Sequence, residues 1–187
     1  MKAQMHDFMD GKGPVPSHIH TKGGGWVADT ANVHDSAYIG PDARVYGNAW
    51  VHGDARVHGN AQVHGNAWVF DNAPVFGDAR VYGDALVSGD ALVFGDARVH
   101  GDAWVSGDVR VFGDAQVNRG MYAYTPISIT RSDGYTFTLQ SDGSIVAGCR
   151  DFTPDEAKAY WGHPEHHKHR ESMAIISAFN AIQTARS

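Results

Sequence analysis

The most regular feature of this sequence is an aliphatic residue that recurs every six positions from Val27 to Val117. The repeat has the form V-x-G-(D/N)-A-x, and Ile39 is the one residue that replaces valine at its first position. A strict short period is typical of a solenoid, because each unit can bury its apolar side chains only against the units stacked on either side of it. The pattern therefore predicts a repeat fold for about half of the chain.

Each position of the repeat has a physical role. Valine is β-branched and favours a short strand with its side chain in the core. The alanine two positions earlier, as in Ala49 before Val51, should face the same interior and is small enough for a corner. Glycine followed by Asp or Asn is typical of a turn, because these residues tolerate positive φ angles. We therefore expect the chain to bend after every valine.

The V-x-G-(D/N)-A-x repeat resembles that of the hexapeptide-repeat family. The resemblance implies a left-handed parallel β-helix with a triangular cross-section, in which three hexads make one coil, so that residues 27–116 would form about five coils. The opening at residues 24–27, the unbroken repeats and a later Gly148-Cys149 pair further resemble uncharacterised hexapeptide proteins of phages and prophages. These resemblances specify a fold and leave the function open.

If three hexads make one coil, side chains eighteen residues apart stack on one face at the strand spacing of about 4.8 Å. One face then carries arginine beside tyrosine and histidine, and we predict that it binds a ligand through Arg44, Tyr46, Arg80, Tyr82, Arg98 and His100. The other two faces carry ladders of large apolar residues, which are Trp50, Trp68, Leu86 and Trp104 on one and Phe76, Phe94 and Phe112 on the other.

Bare ladders of this kind exceed the apolar patches that soluble monomers usually expose. Because hexapeptide proteins are typically trimers, the resemblance implies a homotrimer with one ladder at the subunit interface and the other covered by the C-terminal segment or by a neighbour. Either ladder could form that interface. In the alternative interpretation, both ladders only shield the edges of the coils.

Composition divides the chain into an irregular leader, the repeat and a small α+β domain, at residues 1–26, 27–118 and 119–187. The leader is rich in proline and glycine, which favours an extended segment lying against the first coil. After the repeat, alternating residues separated by Ser-Asp-Gly turns predict a three-stranded meander at residues 122–131, 135–140 and 144–150. The overall fold class is therefore mainly β.

Two helices are predicted at the end of the chain. Thr153 and Glu156 have the spacing of a capping box, with Pro154 at the first helical position, which indicates a short helix ending at Gly162. A second helix, from about residue 165 to 184, places four apolar residues along a stripe that is typical of a core contact: Met173, Ile176, Phe179 and Ile182.

The chain has a formal net charge of -6, and the repeat draws its negative charge from aspartates at the turn positions. Duplex nucleic acid binding requires a basic stripe that displaces counterions, so the composition disfavours it. The sequence shows no apolar run of membrane-spanning length and no signal peptide, and its single cysteine, Cys149, fits a reducing compartment. We therefore expect a cytoplasmic protein without a membrane partner.

Two sets of histidines are candidates for metal binding. His163 and His167 would share one face of the second helix, although the adjacent Lys168 opposes a cation. The hexapeptide resemblance also suggests a zinc carbonic anhydrase, but that pattern needs two histidines five residues apart, and His64 and His100 lack such partners. We therefore predict no bound metal and no cofactor.

Many hexapeptide proteins transfer acyl groups from coenzyme A, with a histidine base and with acceptor loops between the coils. This sequence has no insertion between Val27 and Val117, so a base such as His58 or His64 would have no pocket wall against which to hold an acceptor. Acyl transfer is therefore the alternative function, and the leading prediction is a non-catalytic trimeric binding module.

The predicted module captures a small anionic, nucleotide-like ligand on its arginine face, by charge-assisted hydrogen bonds and by stacking on the aromatic rings. In the alternative, the arginines pair with aspartates of neighbouring turns. A shallow face needs a second wall, for which the candidates are a neighbouring subunit, Arg150 and the histidines at 163–169. The phage resemblance implies that the module sequesters a host signal molecule or blocks a host defence protein.

Overall fold

The computed structural model describes residues 4–122, 126–148 and 150–186. The chain forms two compact units, Met1–Thr125 and Pro126–Ser187. Cys149 and the start of the first predicted meander strand, at 123–125, lie outside the described residues. Within the described ranges, no helix is long and apolar enough to cross a lipid bilayer.

The first unit is built from short strands, most of which contain only two residues. They are β1 (Gln4–His6), β2 (Val15–Ile19), β3 (Trp26–Ala28), β4 (Asn32–Val33), β5 (Tyr38–Ile39), β6 (Arg44–Val45), β7 (Trp50–Val51), β8 (Arg56–Val57), β9 (Gln62–Val63), β10 (Trp68–Val69), β11 (Pro74–Val75), β12 (Arg80–Val81), β13 (Leu86–Val87), β14 (Leu92–Val93), β15 (Arg98–Val99), β16 (Trp104–Val105), β17 (Arg110–Val111), β18 (Gln116–Val117) and β19 (Met121–Tyr122).

Every third strand of the repeat pairs in parallel, which produces three sheets that run along the solenoid. Sheet A contains β3, β6, β9, β12, β15 and β18, sheet B contains β4, β7, β10, β13, β16 and β19, and sheet C contains β5, β8, β11, β14 and β17. Paired residues such as Val27 and Val45 are eighteen positions apart, so the five steps from β3 to β18 confirm the prediction of about five coils. The mainly β fold class is confirmed as well.

The interior of the solenoid is made of the valines and the alanines of the repeat. Val45, Val51 and Ala49 are fully buried, which confirms that both positions face inward. Each buried valine side chain stabilises the fold by about 1.5 to 3 kcal/mol through the hydrophobic effect. Because the buried side chains of each coil pack against those of the next coil, the core is continuous along the unit.

The turns of the repeat adopt the positive φ angles that their glycines predict. Gly47 has φ 70°, and a Cβ atom there would lie 2.9 Å from the backbone nitrogen of Gly65 in the next coil. The turns therefore stack backbone on backbone, and a side chain at this position would push them apart. In one turn, Asp71 stands at the repeat position that glycine usually occupies and adopts φ 61°. Its carboxylate accepts a hydrogen bond of 3.1 Å from the Gly89 N–H.

The N-terminal leader contains two strands, where its composition favoured an irregular segment. β1 pairs antiparallel with β2, and β2 pairs antiparallel with β3, so this hairpin extends sheet A. The first coil would otherwise end in a row of unpaired backbone groups, and the hairpin supplies their partners. The proline and glycine content of this segment does not predict a hairpin. The hairpin is stabilised by hydrogen bonds to the edge of the first coil, and the local strand propensity contributes little.

The second unit contains a four-stranded antiparallel sheet in the order β20 (Ile127–Thr130), β21 (Thr136–Leu139), β22 (Ile145–Ala147) and β23 (Arg150–Phe152). The predicted meander had three strands, because residues 144–150 have the pattern of a single strand. The chain turns after Ala147, where Gly148 has φ 63°, and this run is divided between β22 and β23. A turn this short has no sequence signal beyond one glycine.

Two helices, α1 (Pro154–Trp161) and α2 (His169–Arg186), pack against this sheet. The capping box is confirmed, since Thr153 Oγ1 accepts a hydrogen bond of 3.2 Å from the Glu156 N–H and the Glu156 carboxylate accepts one of 2.8 Å from the Thr153 N–H. The predicted apolar stripe of α2 is in the core, where Ile176 and Phe179 are fully buried. α2 begins later than the sequence suggested, at His169 rather than near 165.

A buried arginine, Arg131, connects the sheet of the second unit to α2. Its guanidinium donates to both carboxylate oxygens of Asp133, at 2.9 and 2.6 Å, and to Ser172 Oγ at 2.9 Å. It also lies over the rings of Tyr135 and Trp161, 5.0 and 5.3 Å from their centroids, where cation–π attraction is favourable. These contacts satisfy the buried charge and indicate a structural role.

Candidate functional site

The six residues predicted to bind a ligand all lie on sheet A. The arginines occupy one column, at the first residue of β6, β12 and β15, and an aromatic residue follows each of them two positions later. Arg80 pairs directly with Arg98 in the parallel register, whereas Gln62 separates Arg80 from Arg44. The face therefore carries a close pair of arginines. The full set is Arg44, Tyr46, Arg80, Tyr82, Arg98 and His100.

Arg80 and Arg98 are exposed, and within the described part of the chain neither forms an ion pair. The turn aspartates two positions before them therefore do not neutralise these guanidinium groups. Like charges at directly opposed positions of a sheet destabilise it by about 0.2 to 1 kcal/mol. The repulsion between the two guanidinium groups therefore destabilises the single chain, and a bound anion would remove this destabilisation.

The aromatic residues of sheet A form one continuous stack. Phe8, from the loop after β1, packs on Tyr46 with their centroids 4.9 Å apart, and the stack continues through His64, Tyr82 and His100 at 4.7, 5.1 and 4.9 Å. From Tyr46 onward, successive rings lie within 7° of parallel. Both faces of the Tyr82 ring are covered, so a ligand can reach only its edge. A nucleotide base therefore has no free ring face to stack on at Tyr46 or Tyr82, two of the predicted ligand-binding residues.

Burial controls the protonation of this stack. It raises the pKa of the Tyr46 hydroxyl, which donates a hydrogen bond of 3.1 Å to Gln62 Oε1. Burial also lowers the pKa of His64, and the nearby Arg80 guanidinium lowers it further. Both shifts favour the neutral forms of Tyr46 and His64, and the arginines are the fixed positive charges of this face.

The loop between β1 and β2 provides a wall beside the face. Phe8 of this loop packs on the Tyr46 ring with centroids 4.9 Å apart, so the loop lies against the end of the ring stack. Asp10 and Lys12 pair with each other at 3.5 Å. This wall was not predicted from the sequence, where its one signal is the Asp-Gly-Lys run at residues 10–12, which is typical of a turn. Arg150, an expected wall residue, lies over a tyrosine ring of its own unit.

Sheet B carries the predicted tryptophan ladder. Trp50, Trp68 and Trp104 are 38%, 45% and 44% exposed, and Leu86 occupies the register position between Trp68 and Trp104. The Trp50 and Trp68 rings stack with centroids 4.9 Å apart and planes within 4° of parallel. A notch of about 310 Å³ opens beside them and is also lined by Phe70. The ladder is therefore an apolar strip with a recess that could receive a side chain.

Sheet C carries the phenylalanine ladder, in the column that follows the valines. Phe76, Phe94 and Phe112 stack with centroid separations of 5.1 and 5.5 Å, and His58 continues the stack at 5.1 Å from Phe76. Phe112 is 48% exposed, whereas Phe76 and Phe94 are half-buried. The rings cover one another, so this ladder leaves less open apolar surface than the tryptophan ladder.

The two candidate metal ligands near the C-terminus do not share a helix face, and this prediction was wrong. His163 and His167 lie in the turns that precede α2. The helix does not extend to them because Lys168 adopts a left-handed conformation with φ 60°. His167 Nε2 instead lies 3.6 Å from Asp133 Oδ2, within the network of Arg131.

The histidines of the solenoid do not converge on a metal site either. The Tyr82 ring lies between His64 and His100 in the ring stack, so these imidazoles cannot share a metal ion within one chain. His52 and His58 follow strands of sheets B and C and belong to other faces. Across the residues that the structure describes, no group of three or more His, Cys, Asp or Glu side chains is arranged to hold a metal ion.

Comparison with known proteins agrees with the repeat architecture. Three segments, residues 43–59, 79–93 and 85–101, match the family model of the YdcK beta solenoid repeat. No curated protein and no solved structure matches the chain. The matched segments all lie within the hexads, so the chain is a β-solenoid repeat protein, and its ligands and partners have to be inferred from its surface.

Proposed function

We propose that the chain is a non-catalytic β-solenoid module that binds a small anionic ligand on sheet A and assembles as a homotrimer through the tryptophan ladder. The Arg80–Arg98 pair is the observation that carries the ligand proposal. These exposed guanidinium groups repel each other at directly opposed positions, and among the described residues no carboxylate pairs with them. A bound oxyanion would accept hydrogen bonds from both and replace repulsion with attraction.

The solenoid holds these two groups in position before a ligand binds. Strands in register keep their backbones about 4.8 Å apart, and the stacked rings of the next column limit movement of the sheet. Little conformational entropy is lost on binding, which favours affinity for a small ligand. Hydrogen bonds to charged groups contribute roughly 1.5 to 3 kcal/mol each, so one such bond from each arginine supplies about 3 to 6 kcal/mol, which corresponds to a dissociation constant of the order of 1 mM.

The ligand that fits this face is defined by its anionic head. A phosphate or a carboxylate can bridge Arg80 and Arg98, while the stacked rings offer only their edges to the rest of the molecule. A nucleotide would therefore bind through its phosphates rather than through its base. The loop between β1 and β2 bounds the ring stack on the side of the first coils, where Phe8 covers the Tyr46 ring.

Two measurements test the ligand proposal. Mass spectrometry of compounds released by denaturing the purified protein identifies an anion that copurifies with it. Calorimetry with pyrophosphate should then show a binding site in the wild type that a variant with both Arg80→Gln and Arg98→Gln lacks, whereas Arg56→Gln removes the same charge from sheet C and should leave this site intact. If no anion is released and pyrophosphate does not bind at about millimolar concentration, a host protein becomes the expected partner of the face.

The trimer proposal rests on the exposure of three tryptophans in one strip. Soluble monomers rarely leave a contiguous apolar patch of this kind bare, and closed cyclic assemblies are the usual way in which identical chains cover one. The 310 Å³ notch beside Trp50 and Trp68 is a recess in which a side chain of a second copy would fit. The phenylalanine ladder is the weaker candidate, because its rings are largely covered by one another.

Acyl transfer is the second candidate function. One observation favours it: His58, a possible general base, lines a large groove beside sheet C. The regular strands from β3 to β18 leave no acceptor loop between coils, so a substrate would have to be held by a second subunit. Binding of coenzyme A separates this candidate from the non-catalytic module.

A further inference from the structure

A groove of about 910 Å³ opens beside sheet C near the first coils. Its volume falls in the range of pockets that hold small molecules. It lies on a different face from the Arg80–Arg98 pair and shares no residue with the ligand site on sheet A. Its lining combines cationic, aromatic and acidic side chains, chiefly Lys22, Tyr38, Asp54, Arg56, His58 and Pro74.

Lys22 reaches the groove from a loop that crosses the edge of the first coil. Two hydrogen bonds hold this loop to β5, from the Ile39 N–H to the Lys22 carbonyl at 3.0 Å and from the Gly25 N–H to the Ile39 carbonyl at 2.9 Å. The packing is so close that a Cβ on Gly23 would lie 2.2 Å from the Ile39 carbonyl oxygen. The Lys22 ammonium donates to the Ser36 carbonyl at 2.5 Å and retains two further N–H donors. It is therefore in place before any ligand binds.

Arg56 provides a second cation from the outer column of sheet C. Its register neighbours are Tyr38 and Pro74, so neither a like charge nor a carboxylate adjoins it along the sheet. In the described ranges, neither Arg56 nor Lys22 forms an ion pair. His58, two residues later, is held in the ring stack of sheet C. The groove is thus lined by two cations that form no ion pair with the described part of the protein.

We propose that this groove binds a small organic molecule through an oxyanion, a carboxylate or a phosphate, held between Lys22 and Arg56. Ammonium and guanidinium groups both donate charge-assisted hydrogen bonds to such oxygens. Tyr38 and Pro74 flank Arg56 with apolar surface for the body of the molecule. The site stands independently of the ligand site on sheet A, because the two arise from different faces and different residues.

Asp54 limits which anions the groove accepts. Its carboxylate lines the groove from the turn before Arg56. The two fixed cations outweigh it, so the groove is a local positive region on a chain whose formal net charge is -6. The Asp54 carboxylate would repel a second anionic group on the ligand. The preferred ligand therefore has one anionic head, and neutralising Asp54 should increase its affinity.

Isothermal titration calorimetry of the full chain tests the site, with inorganic phosphate and acetate as separate probes at constant ionic strength. Arg56→Gln and Lys22→Gln should each weaken binding by about tenfold or more, since each removes a charge-assisted hydrogen bond. Asp54→Asn should strengthen it. All three side chains are exposed, so these variants should keep the wild-type circular dichroism spectrum. The preferred probe shows whether the groove selects a planar carboxylate or a tetrahedral phosphate.

Arg98→Gln is the matched control. It removes the same charge from the same hexad position on sheet A, and binding in the groove should survive it. If the site on sheet A also takes phosphate, Arg98→Gln removes that site alone and Arg56→Gln removes the groove alone, so the two proposals fail separately. The groove proposal is overturned if the wild type binds neither probe, or if Arg56→Gln binds both probes as the wild type does.

Discussion

Replacing Trp68 with aspartate should dissociate the proposed trimer. Trp68 lies within the ladder of sheet B, stacked on Trp50, and is 45% exposed in the single chain. A tryptophan side chain offers about 250 Å² of surface, so about 110 Å² remains for a partner to cover. At about 25 cal/mol per Å², this surface contributes about 3 kcal/mol for each subunit.

The loss of association free energy is threefold in a trimer, because each of the three subunits contributes the same side chain. Removing three copies costs about 8 kcal/mol of association free energy per trimer. The carboxylate of Trp68→Asp adds to this, since an unpaired charge in an apolar interface is strongly unfavourable. A trimer that is stable at micromolar concentration should therefore become monomeric.

Size-exclusion chromatography with light scattering measures the mass directly. The wild type should have three times the chain mass, and Trp68→Asp should have the mass of one chain with an unchanged circular dichroism spectrum. Phe112→Asp is the matched control, because Phe112 is 48% exposed on sheet C, and it should remain trimeric. A monomeric wild type or a trimeric Trp68→Asp would refute the reasoning, and dissociation of Phe112→Asp alone would move the interface to the phenylalanine ladder.

Acid should destabilise the second unit, because the Glu171 carboxylate accepts hydrogen bonds that lower its pKa to about 2, and the largest effect comes from the Ser132 N–H. This stabilisation is present above the unfolded pKa of about 4.3 and is lost as the pH falls towards 2, so an acid titration by circular dichroism should be flatter for Glu171→Gln. Gly65→Ala should destabilise the solenoid by about 1 kcal/mol more than Gly107→Ala in thermal unfolding, because a Cβ at Gly65 meets backbone of the next coil at 2.9 Å, whereas among the described atoms nothing lies within 4 Å of one at Gly107. A thermal shift with acetyl-coenzyme A that Arg80→Gln and Arg98→Gln together abolish would reflect its phosphates, whereas a shift that only His58→Ala removes would support acyl transfer instead.

The solenoid could be predicted in detail because one period determines its strands, its core and its turns together. A register slip of one residue would turn the valines outward, so the pattern permits a single alignment. The capping box of α1 was equally accessible, since Thr153 and Glu156 are three positions apart and interact locally. In both cases the residues that stabilise the structure can be recognised within a short stretch of sequence.

The surfaces depend on segments that are distant in sequence, and these were harder to predict. Phe8 covers the end of the ring stack at Tyr46, and Lys22 lines the same groove as Arg56, which is 34 positions later in the chain. Neither arrangement has a local signal. The closed stack itself could have been inferred from spacing, because rings about 4.8 Å apart already contact each other, and a base inserted between two of them would need about twice that separation.

The turn columns at the corners of the solenoid change in charge along its length. In the early coils, asparagine amides donate to the next residue of the column, from Asn48 to Asn66 at 3.4 Å and from Asn66 to Asp84 at 2.9 Å. Further along, aspartate follows aspartate, as Asp102 follows Asp84 and Asp96 follows Asp78. Negative charge therefore accumulates at the corners of the later coils.

The Arg80–Arg98 pair lies in these later coils, between the two acidic columns that border sheet A. Asp78 and Asp96 occupy the turns before the arginines, and the other column follows the aromatic residues. An extended polyanion laid across the face would meet carboxylates on both sides, and the Coulomb repulsion would oppose it. A compact anion held between the two guanidinium groups would contact neither column. The turn aspartates thus favour a small anionic ligand over a nucleic acid on this face. These residues belong to the same turns that stack from coil to coil.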